Sequence, residues 1–214
     1  MIRMRPPLPA TLVLTDRRQA SAAGHTLTGV VRRAVEAGVR AVILREKDLP
    51  VADRAALAGE LGRRVLVPAG GTLLVASDAS LARQIGATGV HLSASDPPVP
   101  APCPLLVGRS CHDARELDRA TVEGCAYAIV SPVFETPSKP GYGPPLGLDG
   151  LRQLCERATI PVYALGGISP GRAAPCLRAG AAGVAIMGAV MGAANPGTVV
   201  RSLLEETMQF EETS

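Results

Sequence analysis

The sequence predicts one α/β domain over residues 1–214, a single (β/α)8 TIM barrel. Three observations carry this reading. Helical stretches repeatedly end in glycine just before a short apolar run. The composition is 47% hydrophobic but only 2% aromatic, which calls for an aliphatic core of small, regular elements. The first strand is not followed by the glycine-rich loop that marks the doubly wound dinucleotide-binding sheet.

The repeat is explicit. Ala37-Gly38-Val39 leads to Ala41–Leu44, and Gly86–Gly89 leads to Val90-His91-Leu92. Gly124-Cys125 leads to Ala126–Val130, and Gly180–Gly183 leads to Val184–Met187. Each glycine suits a left-handed helix stop. Each apolar run lacks alternation, as expected of a strand buried on both faces. Repeated αβ junctions imply parallel strands joined by helical crossovers.

In chain order, Thr11–Thr15 is the first strand, and it ends in Asp16-Arg17-Arg18. A helix over 26–37 precedes the second strand, Ala41–Leu44, and one over 50–64 precedes the third, Thr72–Ala76. A helix over 78–86 leads to the fourth strand. Ser93–Pro104 is too proline-rich for a helix. Leu105–Gly108 is the fifth strand, and a helix over 112–122 leads to the sixth, Ala126–Val130. Helices over 148–158, 169–179 and 196–209 bracket the last strands, Pro161–Leu165 and Val184–Met187. Residues 1–10 and 210–214 are expected to fray as flexible tails.

The net charge is +3, and the arginines are scattered without interleaved aromatics, which argues against a nucleic-acid surface. The five cysteines are odd in number and lack metal-type spacing. With no secretory signal and no membrane-length apolar run, they suggest a cytoplasmic protein with reduced thiols. Small phosphorylated molecules are the expected partners, and a homo-oligomer is left open.

Of 22 cationic side chains only Lys47 and Lys139 are lysines, and both fall in polar loops, Arg45-Glu46-Lys47-Asp48 and Thr136-Pro137-Ser138-Lys139. A compact ammonium and a guanidinium fork do different chemistry. Barrel chemistry gathers at the C-terminal strand ends. Those ends carry Asp16, Arg45–Lys47, Ser77-Asp78, His91 with Asp96, Arg109–His112, Ser131, the Thr136–Lys139 loop, Gly166-Gly167 and Gly188. The glycine turns after strands seven and eight match the usual barrel phosphate site, because a side chain there would block a phosphate. Asp78 and Asp96 offer hard oxygens suited to Mg²⁺. They also suit a helix N-cap and a turn residue, respectively. His112 is a candidate proton shuttle.

These motifs together resemble thiamine phosphate synthase and the thiazole tautomerase of the same pathway. The resemblance runs from Leu12–Asp16 to Met187-Gly188-Ala189. It takes in Leu44–Lys47, Ser77-Asp78, Gly89–Leu92, Ser95-Asp96, Gly108–His112, Ser131–Phe134, Thr136–Pro140 and Ala164–Ile168. It implies a (β/α)8 barrel that joins a hydroxymethylpyrimidine diphosphate to a thiazole phosphate. Asp78 and Asp96 would hold Mg²⁺. Arg45, Lys47, Ser110 and Lys139 would grip the diphosphate, with Ser77 and Arg109 nearby. Thr136, Ser138, Gly166, Gly167 and Gly188 would line the thiazole phosphate side. Ile43 and Ser77 stand where the synthase usually has Gln and Asn, and Gly188 where it usually has Ser. The tautomerase alternative needs no metal and would use His112 as its acid and base. A third alternative is a barrel that binds a thiamine precursor without catalysis.

Overall fold

The computed structural model describes residues 8–136 and 144–212. Its eight parallel strands close into a barrel in sequence order. The strands are β1 (Thr11–Leu14), β2 (Ala41–Leu44), β3 (Thr72–Ala76), β4 (Gly89–Leu92), β5 (Leu106–Cys111), β6 (Tyr127–Val130), β7 (Val162–Leu165) and β8 (Gly183–Ile186). Closure is made by β1 against β8, with Thr11 opposite Val184 and Val13 opposite Ile186.

The helices are α1 (Arg17–Ala22), α2 (Leu27–Glu36), α3 (Val51–Leu61), α4 (Ala79–Gln84), α5 (Ala114–Val122), α6 (Gly147–Arg157), α7 (Ala173–Arg178), α8 (Gly188–Met191) and α9 (Pro196–Glu212). The predicted crossovers are present, and 93–105 holds no helix. Short side chains start several of them. Thr26 Oγ1 accepts from Gly29 N at 3.1 Å, and Asp113 Oδ1 accepts from Glu116 N at 2.8 Å. These bonds satisfy helix-end N–H groups that have no partner within the helix.

Three differences from the sequence expectation have physical causes. Asp16 caps the short α1, accepting from Arg18 N and Gln19 N at 3.0 Å each. The third helix ends at Leu61, where the chain passes into a π-helical turn over Gly62–Leu66. Leu8 is no frayed end, since Tyr163 Oη donates to its carbonyl at 2.7 Å and its side chain is buried. At the other end of the described chain α9 continues to Glu212.

Side chains alternate along each strand. Leu12, Leu14, Ile43, Leu74, Ile129 and Ala185 share one apolar cluster with Tyr127 and Tyr163, the barrel interior. Val13, Val42, Leu44, Ala128 and Val130 belong to the cluster that faces the helices. The tyrosines fill the interior where glycines leave space. A Cβ on Gly108 would lie 2.1 Å from the Tyr127 ring, and one on Gly183 would lie 2.7 Å from the Tyr163 ring. The rings themselves meet edge to face at 5.6 Å. This filled interior makes the barrel a packed core, and leaves its C-terminal mouth as the place for a ligand.

Candidate active site

The mouth holds a cavity of two lobes, about 410 and 340 Å³. Leu14, Arg45, Ser131 and Leu165 line both, so the lobes meet along a common seam. The larger lobe lies at the ends of β7 and β8 and includes Thr136, Gly166, Gly167, Arg172 and Gly188. The smaller lies over β2 to β5 and includes Lys47, His91, Ser93, Ser110 and His112.

The turn after β7 has to be glycine. Gly166 and Gly167 have φ of +98° and +66°. A Cβ on Gly167 would sit 2.5 Å from the Glu135 carbonyl oxygen, and one on Gly166 would sit 2.7 Å from Pro132 Cα. The bare turn therefore packs directly on the loop after β6, which carries Thr136. Arg172 Nη1 donates to the Gly167 carbonyl at 2.8 Å, and its guanidinium lies 4.8 Å from the Phe134 ring centre. That places a cation in this lobe that the sequence reading did not single out.

In the loop after β2, the residues either side of Glu46 serve the cavity and Glu46 itself is structural. Glu46 is buried and accepts from Arg17 N and Arg17 Nη1 at 3.1 Å each. Arg45 lines both lobes and Lys47 the smaller one. Burial holds the Lys47 ammonium below its usual pKa, with the Asp96 carboxylate opposing.

Asp78 and Asp96 flank this lobe without lining it. Asp78 Oδ1 caps α4 at Leu81 N, 2.8 Å, and its other oxygen pairs with Arg54. Asp96 Oδ2 accepts from Ser77 Oγ at 2.5 Å and from Ser93 N at 2.6 Å. Burial pushes the Asp96 carboxyl up, but the bonds from Ser77 and Ser93 outweigh it and hold the group below its usual value. Ser77 has φ +59°, a left-handed conformation in which asparagine is favoured among side-chain-bearing residues. Its hydroxyl ties the β3 end to the β4–β5 loop.

One expectation is corrected. Arg109 does not face the cavity. It is fully buried, and β5 continues past Gly108, so Arg109 alternates outward between inward-facing Gly108 and Ser110. Nη1 donates to the carbonyls of Ser93 and Asp96 at 2.8 and 2.9 Å, and Nη2 lies 2.6 Å from Glu123 Oε2. Arg109 therefore braces the Asp96 loop from behind.

Ser110, by contrast, lines the smaller lobe, as do His112 and Glu116. His112 is held by Glu116, whose Oε2 lies 2.9 Å from Nδ1 and accepts from the His112 backbone N–H at 2.7 Å. Lys139 and Ser138 lie outside the described residues. The sequence reading placed Ser131 at a strand end and missed Glu116 and Arg172. A helical spacing from His112 pointed to Glu116; for Arg172 the signal was a cation five residues beyond Gly167 in the turn after β7.

The comparisons with known proteins converge on one family. A sequence profile of the family described as thiamine monophosphate synthase matches residues 11–190. The thiamine biosynthesis bifunctional protein ThiM/ThiE of Symbiobacterium thermophilum is 41% identical over 213 residues, covering 95% of this chain but only 42% of that larger protein. The thiamine-phosphate synthase of Roseiflexus sp. strain RS-1 is 36% identical over 196 residues, covering 89% of this chain and 82% of its own. The solved structure of thiamine phosphate pyrophosphorylase from Pyrococcus furiosus superposes with a TM-score of 0.83 at 29% identity, covering 96% of this chain and 98% of that one.

Proposed function

The chain belongs to the thiamine monophosphate synthase family, and on that premise we propose that it joins a hydroxymethylpyrimidine diphosphate to a thiazole phosphate, releasing diphosphate. The observation that carries the proposal is the two-lobed cavity with a shared seam at Arg45 and Ser131. One lobe has a glycine turn and a cation for a monophosphate. The other has Lys47 and Ser110 for a diphosphate and an apolar floor of Leu14, Ile43, Ala76 and Leu165 for a ring. The relatives' names favour the synthase over the tautomerase and the non-catalytic barrel.

In this reading the carbon–oxygen bond between the pyrimidine methylene and the diphosphate breaks, and the thiazole nitrogen takes the methylene carbon. Negative charge grows on the departing diphosphate. Lys47 and Arg45 stabilise that charge as it forms, together with Lys139 from outside the described residues; no protein nucleophile is needed. Arg172, Thr136, Gly166, Gly167 and Gly188 hold the thiazole phosphate in the adjoining lobe, which converts a two-substrate reaction into one between oriented neighbours. His112, held by Glu116, lines the diphosphate lobe, and would carry a proton only in the tautomerase alternative.

Asp78 and Asp96, beside the diphosphate lobe, are the carboxylates that would hold Mg²⁺, and each also serves the protein's own hydrogen bonds. Among the described residues no group of three or more histidine, cysteine, aspartate or glutamate side chains is placed to bind a metal. Two carboxylates completed by water and phosphate oxygens are a usual arrangement for Mg²⁺. Bound there, the ion would neutralise diphosphate charge. A cytoplasmic location goes with this reading.

Calorimetry separates the lobes. Lys47→Met weakens binding of the pyrimidine diphosphate and spares the thiazole phosphate, and Arg172→Gln does the reverse. If both variants weaken both ligands equally, the assignment of one substrate to each lobe is wrong.

A further inference from the structure

A hydrogen-bonded line runs from the barrel interior to the smaller lobe. Tyr127 Oη lies 3.1 Å from His91 Nδ1, and His91 Nε2 lies 2.9 Å from Ser110 Oγ. The two rings stack with centres 5.6 Å apart and planes 23° from parallel. Tyr127 is fully buried, and His91 nearly so. His91 and Ser110 reach the cavity beside Lys47.

The polarity of this line follows from its buried end. A phenol has one hydrogen to donate. Among the described residues, His91 Nδ1 is the hydrogen-bond partner of Tyr127 Oη. A hydrogen on Nδ1 would leave the phenol's own hydrogen buried without an acceptor, an arrangement native structures avoid. Tyr127 donating to Nδ1 removes the conflict. The ring hydrogen then sits on Nε2 and points at Ser110 Oγ. Burial, followed by the Lys47 charge, pulls the His91 pKa down to about 3, so the ring is neutral and carries one hydrogen.

Ser110 thus accepts from the imidazole and keeps its own O–H for the cavity. The distinction matters for the ligand. A diphosphate offers acceptors only, so a serine that gave its hydrogen to His91 would meet it with lone pairs alone.

We propose that Tyr127 and His91 are positioning residues that set the polarity of Ser110, so that its hydroxyl donates to a diphosphate oxygen in the smaller lobe. The identity of the ligand rests on the synthase reading; the tautomer does not.

Two measurements test the proposal. Long-range nitrogen–proton NMR on the free protein at neutral pH, with His91 assigned by its loss in His91→Gln, reads the tautomer. Nδ1 is expected to be pyridine-like and Nε2 pyrrole-like; the opposite pattern, or an imidazolium, overturns the proposal. Binding of inorganic pyrophosphate with Mg²⁺ then reads the coupling. Tyr127→Phe is expected to weaken it about fivefold or more, as is Ser110→Ala, and the double variant is expected to be no weaker than Ser110→Ala. If Tyr127→Phe costs as much without Ser110 as with it, Tyr127 does not act through Ser110. If the parent protein fails to bind pyrophosphate, the synthase reading falls, while the tautomer is still decided by NMR.

Discussion

The guanidinium of Arg109 lies 2.6 Å from the Glu123 carboxylate, with none of the arginine side chain exposed to solvent. Glu123 also accepts from Arg119 Nε at 2.9 Å, and Arg119 Nη2 donates to the carbonyls of Ala94 and Asp96. Two cations and one carboxylate thus hold the backbone of the loop that carries Asp96, from the side opposite the cavity.

Removing one partner of a buried ion pair costs more than removing both. Arg109→Met is expected to lower stability by about 3 kcal/mol in urea unfolding, and the double variant Arg109→Met/Glu123→Met to recover part of that loss. Loosening the Asp96 loop should also raise the Mg²⁺ concentration needed for half-maximal turnover. An unchanged Mg²⁺ dependence with reduced stability would restrict Arg109 to a structural role.

The barrel interior has no room beside Gly108. A Cβ there would lie 2.1 Å from Tyr127 Cζ and 2.3 Å from Cε1. Gly108→Ala is expected to destabilise by about 1–3 kcal/mol, the usual range for overpacking, with a matching drop in Tm. Because the clash is with the ring, Tyr127→Phe should not relieve it and Tyr127→Leu should do so in part.

His91 makes stability depend on pH. Its folded pKa is about 3, against 6.5 for the ordinary side chain. Between those values the unfolded chain binds more protons than the folded one, so stability rises with pH. The contribution is fully present above pH 6.5 and is lost as pH falls toward about 3. Linkage puts the loss on the order of 5 kcal/mol across that window. His91→Gln should flatten the acid limb of a stability–pH curve between those values. An equally steep limb in the variant would place the dependence on other groups.

Gly167→Ala should act on the thiazole phosphate lobe. The added Cβ meets the Glu135 carbonyl at 2.5 Å in a left-handed turn. The loop carrying Thr136 has to move, and KM for the thiazole phosphate should rise on the order of tenfold, equivalent to about 1.4 kcal/mol. KM for the pyrimidine diphosphate should change little.

Most of the barrel was legible because glycine stops and unalternated apolar runs are local signals. Gly38, Gly86, Gly124 and Gly180 all have positive φ just before the strands they announced. The short helices α1 and α8 lacked such signals, being one or two turns long. Arg109 was misread for a different reason. Ending the fifth strand at Gly108 made the next residue a loop residue free to face the mouth. The strand runs on to Cys111, and alternation sends Arg109 outward while keeping Ser110 inward. The line from Tyr127 to Ser110 joins β6, β4 and β5, and only closing the barrel brings those residues together.

The most direct test of the account is turnover by the purified protein supplied with both precursors, with and without Mg²⁺. Thiamine phosphate and diphosphate are expected in equal amounts, formed with Mg²⁺ and suppressed in Asp78→Ala. Folded protein that releases no diphosphate under these conditions, or that alters only the thiazole phosphate without needing the metal, would contradict it.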